Sequence, residues 1–508
     1  MSEYIFIKDL SFSYPESSVP IFENLSLSFY EGWTVISGAN GSGKSTLLSL
    51  IMGTIIPDGG CIRASGEIAY CPQVFEGLDY MDIASIYDGS QENGRLKSML
   101  GITDSMIENP DVLSGGEKKR LQLLAALSHH PSILLMDEPT NHLDQKTKNM
   151  IIPVLRDFSG CGIMISHDRA FAEALSTRTI IIERTMEKPA SLHDIPLSLP
   201  LAIEENSRRK QNARNAYDSL SSSISALQKR AGEIKEKSSA MQKKLSKSGI
   251  DVHDHSAKAA VDGARLTGKD RSLEDVRRRI LANAEHKAAE LSAMERPLMR
   301  KEGLDFHAGD NNQRTMSFPP VVLCGGEYRL HVPELTVRRG NHIAITGDNG
   351  SGKTLLVEYM NRILSEKGRD GIVLYIPQEY TCDDKARIFS EVSGLSDDEK
   401  GQLLSDLYRL GAEPSFLLDD EKEPSPGELK KLDFALSRRK GKSIIIMDEP
   451  TNHLDIVSMG IFERIFSRCD DSYTLILVSH DKAFLDATCN SSWRIERRNK
   501  EGWLSMTI

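Results

Sequence analysis

The chain has 508 residues, of which 27% are charged, 39% hydrophobic and only 6% aromatic. This length and mixture fit a globular protein of about three domains. The 63 basic and 73 acidic residues give a net charge of −10, which by itself argues against a polyanionic partner such as nucleic acid. No stretch reaches the about 18 consecutive apolar residues that a membrane helix needs.

The N-terminus and the cysteines exclude further classes. Met1–Tyr4 is not a basic region leading into an apolar core, so no secretory signal is expected. The seven cysteines are scattered and form no Cys-x-x-Cys pair, which argues against a disulfide framework and against a zinc or iron–sulfur site. A cytoplasmic protein is therefore predicted.

The first element with clear chemistry is a glycine-rich loop. Gly38–Ser45 has the pattern Gly-x-x-x-x-Gly-Lys-Ser and lies between a predicted strand, Trp33–Ser37, and a predicted helix, Ser45–Ile51. Glycines let successive backbone N–H groups surround a phosphate, Lys44 adds positive charge, and the serine hydroxyl reaches Mg²⁺. This loop predicts a nucleoside triphosphate site.

Two other side chains of this half are weaker candidates. Tyr14, 24 residues before Gly38, is predicted to stack on adenine, and an ordinary core or turn tyrosine is the alternative. Gln73 is a candidate contact for Mg²⁺ or for the attacking water, although a glutamine alone is weak evidence.

Two apolar runs of the first half end in polar residues. Ile133–Asp137 is predicted to be a strand buried on both faces of a parallel sheet, whose ligands lie at the carboxyl ends of the strands. Asp137 is then placed to hold Mg²⁺ and Glu138 to polarise the attacking water, with a helix cap as the alternative. His167 follows the predicted strand Gly162–Ser166 and is predicted to contact the γ-phosphate, with a purely structural histidine as the alternative.

Apolar residues at spacings of three and four between residues 201 and 300 predict two helices with heptad seams. The first seam comprises Tyr217, Leu220, Ile224, Leu227, Ala231, Ile234, Met241 and Leu245, with Ser238 in its gap, and the second Leu273, Val276, Ile280, Ala284, Leu291, Met294 and Leu298. The polar, glycine-containing stretch 246–272 lies between them. An antiparallel helical hairpin is predicted, with a first helix of about 45 residues, or about 68 Å.

The charge of this segment differs from that of the rest. Residues 201–300 hold 21 basic and 14 acidic residues, a net of +7, so the remaining residues carry −17. Tyr217 is the only aromatic residue of the segment. The segment is therefore predicted to bind RNA through phosphate contacts, by shape and charge rather than by stacking, and a solvated spacer is the alternative.

The second half repeats the first. Five motifs recur in the same order at offsets of 305 to 313 residues: Gly38–Ser45 as Gly347–Thr354, Tyr70–Gln73 as Tyr375–Gln378, Leu113–Glu117 as Pro424–Glu428, Asp137–Asp144 as Asp448–Asp455, and Ser166–Asp168 as Ser479–Asp481. Such a series predicts a duplicated domain. The predicted boundaries are 1–190 for the first copy, 191–315 for the hairpin with its tip at 246–272, and 316–508 for the second copy.

These motifs resemble two ATP-binding cassettes of the ABC superfamily, with Leu113–Glu117 similar to its signature motif. The Asn-His-Leu-Asp sequences ending at Asp144 and Asp455, together with the charged linker, resemble the ABC-F subfamily, whose members act on ribosomes. The resemblance covers nearly the whole chain. It implies an α/β fold in which two P-loop ABC-type nucleotide-binding domains are joined by an antiparallel α-helical coiled-coil linker.

The resemblance also implies that the cassettes close head to tail over two ATP molecules, each held by the phosphate loop of one cassette and the signature of the other. The implied ATP-binding residues are Tyr14, Gly38, Asn40, Gly41, Ser42, Gly43, Lys44, Ser45, Thr46, Gln73, Ser114, Gly115, Gly116 and Glu117, and Gly347, Asn349, Gly350, Ser351, Gly352, Lys353, Thr354, Gln378, Ser425, Gly427 and Glu428. The predicted catalytic residues are Glu138, Glu449, His167 and His480. The predicted Mg²⁺ ligands are Ser45, Gln73, Asp137, Thr354, Gln378 and Asp448.

The two predicted sites are not equivalent. Pro426 stands where the first signature has Gly115, and proline has no N–H to donate. The site built on Lys44 is therefore expected to be the weaker one if that N–H normally contacts the γ-phosphate. The alternative is that this position tolerates any residue. Tyr328 is a poor candidate for a second adenine-stacking residue.

For function, the resemblance implies that the linker enters the ribosomal tRNA exit site and points toward the peptidyl-transferase centre, contacting large-subunit rRNA and P-site tRNA. It implies a functional monomer with no DNA or membrane partner. Gln73 and Ser114 are too close for an extra arm, and the chain ends soon after His480, as in antibiotic-resistance ribosomal-protection members. A housekeeping ABC-F factor, a transporter's energising ATPase subunit and, more distantly, a chromosome-structure or DNA-repair ATPase are the alternatives.

Overall fold

The computed structural model describes residues 3–15, 17, 19–140, 143–185, 188–244, 269–294, 315–412, 417, 423–467 and 473–507. Their contacts divide the chain into two units, one formed by Met1–Ala202 with Arg300–Ile508 and the other by Ile203–Met299. The domain boundaries expected at 190 and 315 stay predictions.

The first cassette is an α/β domain. Its strands are β1 (Glu3–Phe12), β2 (Phe22–Tyr30), β3 (Gly32–Gly38), β4 (Gly59–Ala64), β5 (Ile68–Cys71), β6 (Ile133–Asp137), β7 (Cys161–Ile165), β8 (Arg178–Thr185) and β9 (Lys188–Ile195). Its helices are α1 (Lys44–Met52), α2 (Tyr80–Ile86), α3 (Gln91–Met99), α4 (Asp104–Glu108), α5 (Gly115–Ser128), α6 (Gln145–Asp157) and α7 (Arg169–Leu175), with a 3₁₀ turn at Pro110–Val112.

The second cassette has β10 (Thr315–Phe318), β11 (Val321–Gly325), β12 (Tyr328–Val332), β13 (Leu335–Arg338), β14 (His342–Gly347), β15 (Val373–Ile376), β16 (Ile444–Asp448), β17 (Thr474–Val478), β18 (Ser491–Arg498) and β19 (Glu501–Thr507). Its helices are α10 (Lys353–Glu366), α11 (Cys382–Ser393), α12 (Asp397–Arg409), α13 (Pro426–Arg439), α14 (Ile456–Phe466) and α15 (Lys482–Thr488), with a 3₁₀ turn at Asp370–Ile372. The linker helices are α8 (Leu199–Lys244) and α9 (Lys269–Ala293).

The main sheets of the two cassettes have the same strand order, as a duplication predicts. The first runs β5-β6-β7-β3-β8-β9, and the second contains the matching run β15-β16-β17-β14-β18-β19. The central strands are parallel, and only the last strand of each run is antiparallel. Both predicted apolar strands, β6 and β16, are buried along their whole length. Their carboxyl ends therefore share one edge with the ends of β3 and β14.

The linker helices pack as an antiparallel pair. Lys287 Nζ donates a 2.9 Å hydrogen bond to Ser223 Oγ, and the positive charge of Lys235 lowers the pKa of Glu274. Lys235 comes after Ser223 in α8, whereas Glu274 comes before Lys287 in α9. The two helices therefore run in opposite directions. At 46 residues, α8 is about 69 Å long at 1.5 Å per residue.

The burial of these helices follows the predicted seams with one exception. Every described side chain of the first seam is buried or half-buried, and Ile224, Ala231 and Ser238 are each less than 9% exposed. Val276 was predicted in the second seam but is 40% exposed, which contradicts that position. Most of the predicted tip, residues 246–268, lies outside the described residues.

Candidate functional site

Each glycine-rich loop connects a central strand to a helix that begins at its lysine. Gly38 has φ 157°, close to extended, and a Cβ there would lie 2.3 Å from the Ile182 carbonyl oxygen. Gly43 precedes α1 with φ 100°, a left-handed conformation that glycine adopts without strain. The remaining predicted loop residues lie in the same two turns: Gly41, Ser42, Gly350, Ser351 and Gly352.

Both lysines cross the mouth of their own loop. Lys44 Nζ donates to the carbonyl oxygens of Gly38 and Ala39 at 3.0 and 2.9 Å. Lys353 Nζ donates to the carbonyls of Gly347 and Asp348 at 2.9 and 3.2 Å. Burial lowers the pKa of both amines, while nearby carboxylates oppose this effect. The lysines are thus held where a phosphate cradled by the loop would meet them.

The two glutamates after the buried strands adopt a strained backbone. Glu138 has φ 46° and Glu449 has φ 47°, a region that costs a non-glycine residue about 1–3 kcal/mol. Their backbone N–H groups donate to the carbonyls of Ile165 and Val478 at 3.0 and 2.9 Å, which holds the strained conformation against the neighbouring strand. Such strain is characteristic of residues that must point a side chain into an active site.

Each glutamate faces the histidine of its own cassette. Glu138 Oε1 lies 3.1 Å from His167 Nε2, and Glu449 Oε1 lies 3.5 Å from His480 Nε2. Burial raises the pKa of Glu138, and burial with the nearby Lys44 lowers that of His167. Burial raises the pKa of Glu449 to about 7 and lowers that of His480 to about 4. A carboxylate that titrates near neutrality suits a general base.

The preceding aspartates fit a metal ion. Burial raises the pKa of Asp137 and Asp448, while the hydroxyls of Ser45 and Thr354 oppose this effect. Apart from the contact with Thr354, neither carboxylate oxygen of Asp448 has a hydrogen-bond partner within the described chain. A buried carboxylate beside a phosphate-loop hydroxyl is the oxygen donor set that Mg²⁺ takes next to a nucleotide. Their role as Mg²⁺ ligands stays a prediction.

The second phosphate loop faces the signature of the first cassette across a cleft of about 560 Å³. Ser114 and Gly115 line the cleft from the first cassette, opposite Lys353 and Thr354. Gln378, Asp448, Glu449 and His480 also line it. We call this cleft the Lys353 site. The structure thus brings together the residues that the resemblance paired there, although Gly116 is not one of the residues that line the cleft.

The first phosphate loop meets the second cassette at a corresponding place, the Lys44 site. The Asn40 backbone N–H donates to Asp455 Oδ2, and the Asn40 side-chain amide donates to the His453 carbonyl, both at 3.2 Å. A Cβ on Gly427 would lie 2.3 Å from the same His453 carbonyl and 3.6 Å from Asn40 Nδ2. The head-to-tail contact between phosphate loop and opposite signature is therefore present on both sides.

Asp144 and Asp455 have a bridging role that the sequence reasoning missed. Asp144 Oδ1 accepts from the Thr147 N–H at 2.9 Å and so caps α6, while the carboxylate also accepts from the Asn349 N–H of the other cassette. Asp455 caps α14 and accepts from Asn40 in the same way. The signal that could have revealed them was the unchanged repetition of both aspartates at one offset.

The pKa of each bridging aspartate reflects its charged contacts. Burial opposes ionisation of Asp455, but Lys431, 3.6 Å away, and the Ser458 N–H lower its pKa to about 2. Burial likewise opposes ionisation of Asp144, yet hydrogen bonds from Thr147 lower its pKa overall. Both aspartates are therefore ionised at neutral pH and hold the opposite phosphate loop as acceptors.

Both signature helices start with a capping box. Ser114 Oγ accepts from the Glu117 N–H, and Glu117 accepts from the Ser114 N–H at 2.9 Å. Ser425 and Glu428 repeat this arrangement, and Pro426 occupies the first turn of α13. Because the N–H of that position has no partner within a helix, proline fits there without cost to the helix. Glu117 and Glu428 thus orient the serines, and their contact with nucleotide stays a prediction.

The remaining candidates lie in different surroundings. The Tyr14 hydroxyl is 3.3 Å from Thr46 Oγ1 at the start of α1, and its ring is 42% exposed. Gln73 is an exposed residue after β5, whereas Gln378 lines the Lys353 site. Tyr328, judged a poor candidate from the sequence, also lines that site.

Two further contacts of the Lys353 site were not predicted. His480 Nε2 lies 2.9 Å from Asn349 Oδ1 and 3.1 Å from Lys353 Nζ. Lys148 and Asp168 of the first cassette form a 2.5 Å ion pair on the opposite wall. The asparagine could have been found from its place in the repeated loop, whereas a lysine on a helix carries no such signal.

The fold and these two composite sites define a protein with tandem ATP-binding cassettes. The family model described as ABC transporter matches residues 22–141 and 330–452. The chain is 27% identical over 520 residues to the ribosome protection protein VmlR of Bacillus subtilis (strain 168), covering 99% of this chain and 89% of that protein. It is 25% identical to the erythromycin resistance ATP-binding protein MsrA of Staphylococcus epidermidis, covering 90% and 91%.

An archaeal ribosome recycling factor, aABCE1, solved in complex with the ribosomal stalk protein aP1, has the same fold with a TM-score of 0.58, 18% identity, and coverage of 98% of this chain and 89% of that one. The chain belongs to the ABC-F family of ATP-binding cassette proteins, and it is an ATPase. Among the described helices, none has the length and apolar character of a membrane span.

Proposed function

We propose that this ATPase binds the ribosome while ATP holds its two cassettes together, and that hydrolysis releases it. The observation that carries the proposal is the reciprocal contact of each phosphate loop with the opposite cassette, through Asn40 with Asp455 and through Asn349 with Asp144. A triphosphate in either site would touch both cassettes. Binding energy would therefore favour the closed arrangement, and cleavage of the γ-phosphate would remove that preference.

The reaction proposed for each site is attack of water on the γ-phosphate. Glu138 or Glu449 would orient and polarise the water, and the facing histidine would contact the γ-phosphate. Mg²⁺, when bound, would neutralise charge on the phosphates, held by Asp137 with Ser45 or by Asp448 with Thr354. The lysines hold the developing negative charge from the other side.

The proposed partner of the linker is RNA. The described part of the linker presents basic side chains to solvent, including Arg214, Lys229 and Arg230, and the segment 201–300 carries +7 in a chain of net charge −10. Such a surface binds phosphates and loses affinity as salt increases. We propose that it enters the tRNA exit site toward the peptidyl-transferase centre and contacts large-subunit rRNA and P-site tRNA.

The proposed cellular role is to counter ribosome-targeting antibiotics. The names of two relatives support it, since one is a ribosome protection protein and the other an erythromycin resistance protein. The test is expression in a susceptible host, followed by measurement of minimal inhibitory concentrations for pleuromutilin, lincosamide, streptogramin and macrolide drugs. An increase for at least one class is expected. Unchanged values for all four would favour a housekeeping factor that acts on stalled ribosomes.

The test of ribosome binding uses a double variant, Glu138→Gln/Glu449→Gln, which should bind ATP without cleaving it. This variant is expected to co-sediment with ribosomes in the presence of ATP and Mg²⁺ and not with ADP. The matched control is Glu366→Gln, an exposed glutamate on α10, which should behave like the unaltered protein. Purification of the chain with membrane subunits, and no ribosome binding in any nucleotide, would contradict the proposal and favour a transporter ATPase.

A further inference from the structure

The two cassettes differ where the nucleobase is expected to lie. In the first, nine residues (13–21) separate β1 from β2, and this loop carries Tyr14 with its ring edge-on to Phe12 at 5.1 Å between centroids. In the second, only two residues separate β11 from β12. The shortened connection leaves no place for a counterpart of Tyr14.

Tyr328, at the start of β12, fills a different role in the second cassette. Its hydroxyl donates a 2.6 Å hydrogen bond to the Ser351 carbonyl of the phosphate loop. A Cβ on Gly502 would lie 1.8 Å from that hydroxyl, and a Cβ on Gly352 would lie 3.1 Å from the ring. Glycines at both positions therefore make room for a fixed ring that forms part of the wall of the Lys353 site.

The exposed residue over this ring is Arg497. Its guanidinium carbon lies 5.3 Å from the centroid of the Tyr328 ring, and Nη1 donates to the Gly350 carbonyl at 3.2 Å. Nε donates to the Asn499 carbonyl at 2.9 Å. Two hydrogen bonds and the ring thus hold the guanidinium beside the phosphate loop.

The corresponding arginine of the first cassette has a different contact. The strands β8 and β18 occupy the same place beside β3 and β14, which makes Arg184 the counterpart of Arg497. Arg184 Nη2 donates to the Val19 carbonyl at 3.2 Å, and Val19 belongs to the loop that carries Tyr14. One arginine therefore supports a loop with an exposed tyrosine, while its counterpart, where that loop is missing, lies over Tyr328.

We propose that Arg497 is the nucleobase-binding residue of the Lys353 site, with a purine stacking on the guanidinium that Tyr328 supports from beneath. A planar, delocalised cation stacks on aromatic rings much as a tyrosine does. Stacking uses the ring face, which adenine and guanine share, rather than the hydrogen-bonding edge that distinguishes them. The Lys353 site is therefore a purine nucleoside triphosphate site that accepts GTP about as well as ATP. This inference rests on the proposed function, in which each of the two sites holds a nucleoside triphosphate.

The test is equilibrium binding to the full chain in a Lys44→Ala background, which leaves the Lys353 site to be measured alone. The probes are ATP, GTP and inorganic tripolyphosphate, each with Mg²⁺. Adding Arg497→Ala is expected to weaken ATP and GTP about five- to tenfold, as for loss of a partly exposed cation–π contact, and to leave tripolyphosphate unchanged. Arg497→Lys keeps the charge but loses the plane, so it should resemble Arg497→Ala.

The matched control is Arg498→Ala, the next exposed arginine on β18, which lies over Trp503 instead and should change none of the three affinities. An equal loss for tripolyphosphate would overturn the inference, because Arg497 would then act through the phosphate loop. Unchanged ATP and GTP affinities in Arg497→Ala would also overturn it. Failure of the Lys44→Ala protein to bind any of the three probes would contradict the ATPase function itself.

Discussion

Arg169 of the first cassette and Glu463 of the second form an ion pair in which one nitrogen, Nη1, lies 2.8 and 3.1 Å from the two carboxylate oxygens. Both side chains are mostly buried, at 22% and 17% exposure. The repeat offset places Lys482 and Ile152 at the corresponding positions, and an isoleucine cannot complete an ion pair. This ion pair therefore joins the two cassettes on one side only. Arg169 lies two residues after His167, which belongs to the Lys44 site.

Arg169→Ala is expected to weaken the closed form of the protein. Loss of the arginine leaves the Glu463 carboxylate desolvated and unpaired, which should cost about 2 kcal/mol and speed release of ATP about thirtyfold. The measurement is the rate of ATP dissociation from the Glu138→Gln/Glu449→Gln protein with and without the change. The exchange Arg169→Glu/Glu463→Arg should restore slow release, and an equally large effect of Lys482→Ala would contradict this account.

The two sites should turn over ATP at different rates because of Pro426. Gly115 offers a backbone N–H to the Lys353 site, whereas Pro426 offers none to the Lys44 site. Glu138→Gln should therefore leave most of the ATPase activity and Glu449→Gln should remove most of it. Equal residual rates would show that only the serine and second glycine of the signature matter.

Pro426→Gly in the Glu449→Gln background tests the cause of this asymmetry. The change adds the missing N–H donor, and Ser425 with Glu428 still caps the helix. Turnover in the Lys44 site should increase about tenfold, the effect of one hydrogen bond to a charged group. Pro424→Gly, two residues earlier, removes a proline without adding a donor to that helix turn and should have no such effect.

Glu449→Gln should also change how stability depends on pH. Burial raises the pKa of Glu449 from 4.5 to about 7, so the folded state binds the proton more tightly than the unfolded chain. The stabilisation from this protonation is fully present below about pH 4.5 and is lost as the pH rises through about 7. Glutamine mimics the protonated side chain and should stabilise the protein by up to about 3 kcal/mol at pH 8.5, with little effect near pH 4.5.

Thermal unfolding followed from pH 5.5 to 8.5 would measure this effect. The difference in Tm between Glu449→Gln and the unaltered protein should grow from pH 5.5 to about pH 7 and level off above it. Glu366→Gln, at an exposed position on α10, should give a constant difference. A difference that shrinks as the pH rises would contradict the assigned burial of Glu449.

The sequence was most informative where chemistry requires a fixed residue. The phosphate loops, the glutamates at 138 and 449 and the apolar strands before them were all read from residue type and spacing, because a parallel sheet brings the carboxyl ends of its strands together. The seam of α8 was predicted for the same reason, since heptad spacing is a direct consequence of helix geometry.

The sequence was least informative about contacts between side chains that are far apart in the chain. Arg169 with Glu463, and Arg497 over Tyr328, join residues that belong to none of the repeated motifs, and neither contact recurs in the other cassette. Val276 shows a related limit, since its side chain is exposed whereas that of the neighbouring Arg277 is half-buried. Arg277 forms an ion pair with Glu274 of the same helix. A prediction based on the spacing of apolar residues cannot identify a half-buried arginine.

The linker offers the last prediction, a change in the salt dependence of ribosome binding. Lys229 and Arg230 are exposed on adjacent positions of α8, and each phosphate contact contributes a slope of about −0.7 to −0.9 to the plot of log affinity against log salt. Lys229→Gln/Arg230→Gln should therefore make that slope shallower by about one to two and weaken binding most at low salt. The matched control is Lys8→Gln/Arg63→Gln, which removes two exposed charges from the first cassette and should leave the slope unchanged. Equal slopes for both pairs would mean that the linker is a solvated spacer and that the ribosome is held through the cassettes.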